Sequence, residues 1–97
     1  MEGFSVKVTL KIGRYVIFFW SYENQPLEAV HIHISEGKPS HDSTKLWITN
    51  AGKIIMSDNK SMIPDKILWR ITRIIETNSE EIIEAWLDSF GEIRYFC

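Results

Sequence analysis

The sequence predicts an α+β domain: an antiparallel sheet of four or five strands, followed by a C-terminal helical hairpin packed on one face of the sheet. Two periodicities predict it. From Phe4 to Ile12 apolar residues alternate with Ser5, Lys7, Thr9 and Lys11, the period of a half-buried strand. Beyond Pro64 the apolar residues Ile67, Ile71, Ile74 and Ile75 recur at helical spacing. The third observation is their order. Strands come first and helices last, which segregates the helices on one sheet face and leaves the other face open.

The elements follow in turn. Gly13-Arg14 suits a two-residue type II′ hairpin, since glycine takes the positive φ of the first turn position. Tyr15 to Tyr22 is apolar or aromatic on both faces and reads as a central strand. A loop through Asn24, Gln25 and Pro26 ends it. Val30 to Ser35 alternates again and forms the third strand. Glu36 to Ser43 is polar, with Gly37 and Pro39, and reads as a loop. Thr44 to Thr49 is the fourth strand, Asn50-Ala51-Gly52 a turn, and Lys53 to Met56 a short last strand. The strands thus occupy about 4–56 and the helices about 64–77 and 79–90, in a single domain of residues 1–97. Pro64 suits the first helical position. Asn78-Ser79-Glu80-Glu81 is a helix-start signal, and Gly91 is the expected C-cap of the second helix. That helix turns Ile82, Ile83, Trp86, Leu87 and Phe90 to one side. Trp69 falls off the apolar stripe of the first. The tail Glu92 to Cys97 could extend the sheet edge.

Composition narrows the function classes. Formal net charge is −2, so the chain lacks the cationic excess of a protein that grips many phosphates. A single cysteine, Cys97, allows no internal disulfide. No apolar run approaches a membrane span, and the expected location is the cytoplasm. No phosphate loop, nucleophile elbow or Cys-x-x-Cys motif appears, and no cofactor is expected.

The hairpin register defines a candidate site. With Gly13-Arg14 as the turn, Ile12 pairs with Tyr15, Leu10 with Ile17 and Val8 with Phe19 on the dry side. On the other side Lys11 meets Val16, Thr9 meets Phe18, Lys7 meets Trp20 and Ser5 meets Tyr22. His31, His33 and Ser35 are the polar side of the third strand, and Lys45, Trp47 and Thr49 that of the fourth. The open face is therefore expected to carry Lys7, Lys11, Phe18, Trp20, Tyr22, His31, His33, Lys45 and Trp47. Of these, Lys7, Phe18, Trp20, Tyr22, His31, His33 and Trp47 are the candidate partner-binding residues. Large aromatics interleaved with cations suit a protein partner or a second copy of the chain, and less well a single-stranded nucleic acid. The competing expectation is coverage of these aromatics by the loop Glu23 to Glu28 or by the C-terminal tail.

His31 and His33 admit two kinds of chemistry. Two apart on a strand, they share a face and could bind one metal ion, with His41, Asp42 or Glu36 as the third ligand. They could also act as general base and acid on an RNA 2′-hydroxyl, because histidine titrates near neutral pH.

Several segments occur together in one order: Ile12-Gly13-Arg14-Tyr15, Phe18-Phe19-Trp20, Val30-His31-Ile32-His33-Ile34, Lys45-Leu46-Trp47-Ile48 and Glu84-Ala85-Trp86-Leu87-Asp88-Ser89-Phe90-Gly91. From about Val8 to Gly91 the chain resembles the bacterial family called domain of unknown function 4160. In that family Pro-Pro usually precedes the His-x-His strand, where this chain has Ala29-Val30, and the loop Glu36 to Ser43 is longer than usual. The resemblance implies no agreed activity. Family members are often encoded beside another small domain, which implies a toxin–antitoxin-like pairing. Two functions are thus expected from the sequence: an uncharacterised interaction module that binds a protein partner through the open sheet face, or a small metal-independent ribonuclease toxin using His31 and His33.

Overall fold

A computed structural model describes residues 6–21 and 27–97. Five strands form one antiparallel sheet in simple sequence order: β1 (Val6–Ile12), β2 (Tyr15–Trp20), β3 (His31–Glu36), β4 (Thr44–Ile48) and β5 (Ile54–Asp58). Two helices follow, α1 (Asp65–Thr77) and α2 (Ser79–Phe90). Among the described residues, no helix is long and apolar enough to cross a membrane.

The β1–β2 turn is as expected. Gly13 has φ 58° while Arg14 stays at negative φ, and Ile12 pairs with Tyr15, Lys11 with Val16 and Leu10 with Ile17. The register then slips. A bulge between Val8 and Leu10 sets Val8 opposite Phe18, Lys7 opposite Phe19 and Val6 opposite Trp20. Thr9 stabilises the bulge by donating its hydroxyl proton to the Ile17 carbonyl at 3.1 Å. The expected pairs Val8–Phe19, Thr9–Phe18 and Lys7–Trp20 are therefore corrected. Cross-strand partners share a face, so Lys7 lies on the helical side and Val6 and Val8 border the other. The expected Ser5–Tyr22 pair lies outside the described residues.

The principal core lies between the sheet and the helices. Ile17, Phe19, Ile32, Ile34, Leu46 and Ile48 point into it from the sheet, and Leu68, Ile71, Ile75, Ile82 and Trp86 from the helices. Each such side chain contributes roughly 1.5–3 kcal/mol of transfer free energy when fully buried. The buried stripe of α1 is rotated slightly from the expected one, with Leu68 inside and Ile74 exposed. Leu87 is likewise exposed on α2. Asn78 stops α1 rather than capping α2 with its side chain, donating from Nδ2 to the Ile74 carbonyl at 2.8 Å. Gly91 ends α2 in the left-handed conformation, φ 75°, its amide bonded to Leu87 O.

The loop from β5 to α1 is fastened to the sheet. Thr44 donates to Asn59 Oδ1 at 2.6 Å, and Ser61 Oγ lies 3.1 Å from Ile34 O and 3.0 Å from Asp42 O. The tail forms no strand. It crosses the end of the sheet where β3 begins and β4 has ended, with Val30 N–H donating to Arg94 O and Asn50 N–H to Cys97 O.

Candidate functional site

On the sheet face away from the helices, β2, β3 and β4 bring Phe18, Trp20, His31, His33, Lys45 and Trp47 together. The pairs Phe18–His33, His33–Lys45 and His31–Trp47 are direct cross-strand neighbours. This assembly was legible in the alternation, because the bulge in β1 leaves these three central strands in phase.

The aromatics do not form one bare patch. Phe18 is 0% exposed and Trp20 and Trp47 are half-buried. Phe18 lies in a small second core, stacked on His33 with ring centroids 5.4 Å apart and touched edge-on by Trp20 at 5.3 Å. It therefore supports the face from beneath rather than meeting a partner. Lys7 is displaced by the bulge, and Tyr22 lies outside the described residues.

Among the described residues, three segments cover the second core. The loop after β3 stacks His41 on Trp20, with centroids 4.7 Å apart and planes 18° from parallel. The same loop brings the Ser43 hydroxyl to 3.0 Å from His33 Nδ1. The segment before β3 supplies Glu28, which accepts a hydrogen bond from Lys45 Nζ at 3.0 Å and lies 3.5 Å from His31 Nδ1. The tail brings Phe96 flat onto Trp47 at 4.9 Å, with Lys45 Nζ 4.4 Å from the Trp47 ring centre. Coverage by the tail was an expectation of the sequence. Coverage by the loop after β3 was not, because nothing in a Gly- and Pro-containing polar stretch specifies which ring it will stack against.

The histidines sit deep in this arrangement. His31 is 3% exposed, packed edge-on to Trp47 at 5.7 Å and Trp86 at 5.3 Å. Its Nδ1 must donate to the Ala29 carbonyl at 2.9 Å, which leaves Nε2 as the lone-pair nitrogen of the neutral ring. Burial pushes its pKa down, and the nearby Lys45 adds to the effect, against the opposing pull of the Ala29 bond and Glu28. Burial also lowers His33, with His31 and Lys45 acting in the same direction, to about 4. Partial burial works against ionisation of Glu28, yet the Lys45 hydrogen bond and the neighbouring charges hold its carboxyl below its usual range.

These contacts bear on the two histidine chemistries. His31 and His33 are adjacent, ring centroids 5.2 Å apart, but His41 is engaged on Trp20. Among the described residues, no three histidine, cysteine or carboxylate side chains converge as a metal site, so the trio His31, His33 and His41 is not assembled. An acid–base pair would need one imidazolium near neutral pH, and burial opposes charge on both rings.

Phe96 and Glu28 were not singled out in the sequence, although the segments that carry them, the tail and the loop Glu23 to Glu28, were the expected covers; residues 23–26 of that loop lie outside the described residues. Phe96 is 57% exposed although it stacks on Trp47. The available signal was the cluster of Ile93, Tyr95 and Phe96 beyond the last helix.

No curated protein and no solved structure matches the chain. A family model does, that of Domain of unknown function (DUF4160), over residues 15–87, from the first residue of β2 to the last turn of α2. The match spans about three-quarters of the chain and contains strands β2 to β5, with the His-x-His strand, α1 and most of α2, so the protein belongs to this family.

Proposed function

We propose that the protein is a non-catalytic interaction module, one component of a bacterial toxin–antitoxin-like pair, which binds a protein partner in the cytoplasm through the sheet face opposite its helices. The carrying observation is the Trp47–Phe96 stack, flanked by Lys45 and seated on the buried His31. A preorganised aromatic pair with a cation at its edge is the kind of group that dominates protein interfaces. The absence of cationic excess favours a protein over a nucleic acid. The low basicity of His31 and His33 favours binding over ribonuclease chemistry.

The test uses tagged protein in the source cell. A partner captured by the wild type is expected to be lost with Phe96→Ala and with Trp47→Ala, while circular dichroism shows both variants folded. Undiminished capture by both folded variants overturns the proposal.

A further inference from the structure

The helical layer turns a second surface to solvent, and its charges are sorted by sign. On α1 the residues opposite the buried stripe Leu68, Ile71 and Ile75 are Lys66, Trp69, Arg70 and Arg73, all exposed. On α2 those opposite Ile82 and Trp86 are Glu80, Glu81, Glu84 and Asp88, also exposed. Thus α1 presents three cations outward and α2 four carboxylates. The remaining carboxylates of α1 are Asp65, in its first turn, and Glu76, which is used within the chain as acceptor for the Ile54 amide at 3.1 Å. Among the described residues, none of the outward cations and carboxylates forms a salt bridge.

The cationic side also carries the largest exposed ring of the molecule. Trp69 is 60% exposed, with the Arg73 guanidinium 5.0 Å from its ring centre. Leu87 on the acidic helix is exposed as well. Tryptophan and arginine are the residues most enriched where interfaces gain their binding energy.

The geometry points to a second copy of this chain as the occupant. The helix α1 lies on the β5 side of the sheet and α2 on the β1 side. Two copies can face each other through their helical layers about a two-fold axis that lies in the plane of contact and bisects the pair of helices. That axis sets α1 of each copy over α2 of the other, so cations meet carboxylates twice in one closed interface. Turning the axis by a right angle within the plane sets α1 on α1 and α2 on α2, which like-charge repulsion opposes. Self-complementarity therefore selects both the partner and its orientation. This interface lies on the opposite side of the molecule from the proposed partner face and does not depend on it.

The test is a charge exchange read by sedimentation and by light scattering on a sizing column. Wild type is expected to be dimeric at low salt and to dissociate as salt is raised. Arg70→Glu/Arg73→Glu leaves the outer faces of both helices net acidic, and Glu80→Lys/Glu84→Lys/Asp88→Lys leaves both net basic. Each variant alone is expected to be monomeric and folded by circular dichroism, and an equal mixture of the two is expected to form a one-to-one heterodimer. Trp69→Ala weakens the wild-type dimer. A monomeric wild type at low salt overturns the inference. So does a dimer that survives in both charge variants, or a mixture that stays monomeric while both components are folded.

Discussion

Acidification should destabilise this fold through His33 well before most of its carboxylates are protonated. The ring is stacked on Phe18, hydrogen bonded to Ser43 and flanked by His31 and Lys45. Its pKa is about 4 in the native protein, against the ordinary 6.5 that the unfolded chain restores. Between these values the unfolded state binds more protons, so stability falls as pH falls. The effect is absent above about pH 7, reaches about 2 kcal/mol near pH 5 and approaches about 3 kcal/mol near pH 4, where it levels off. His31 acts in the same direction. Against a typical total of roughly 5–15 kcal/mol this is a large fraction. The assay is urea unfolding followed by tryptophan fluorescence, at pH 7.5 and pH 5, for wild type and His33→Gln. Glutamine keeps a polar group for Ser43 but does not titrate. Carboxylates contribute nearly equally to both proteins, so the wild type should lose more stability on acidification, by about 2 kcal/mol. Parallel pH dependences in the two proteins would refute the reasoning.

Two further outcomes follow from the packing. Trp86→Ala removes the largest fully buried side chain and its contacts with Phe19, Phe90 and His31, and should cost about 3–5 kcal/mol in the same urea assay. Expression in a bacterium separates binding from RNA cleavage: any growth arrest should persist in a folded His31→Ala/His33→Ala variant, and an arrest abolished by it would favour the ribonuclease.

The succession of strands and then helices along the chain and the inside–outside assignment of β2, β3 and β4 were legible because hydrophobic periodicity encodes them directly. Phe19 faces Trp86 and Phe18 faces His33, as the alternation of β2 requires. The bulge was hidden. Thr9 occupies a polar position in an unbroken period-two pattern, and only its hydroxyl bond to Ile17 O shows that the register slips there. That one residue moved Lys7 off the face. Depth was hidden as well. Alternation says which side a ring is on, whereas how deeply Phe18 and His33 are buried depends on how the irregular segments that carry Glu28, His41 and Ser43 close over the sheet. The tail was short and without periodicity, so the Phe96–Trp47 stack could only emerge from tertiary structure.

The most direct test of the docking face is a photoreactive benzophenone amino acid placed at position 96 in living cells, with a matched substitution at Lys60 as control. The account predicts a light-dependent covalent adduct with a distinct protein from position 96, and none from position 60. Adducts absent from position 96, in cells where the wild type captures a partner, would contradict it.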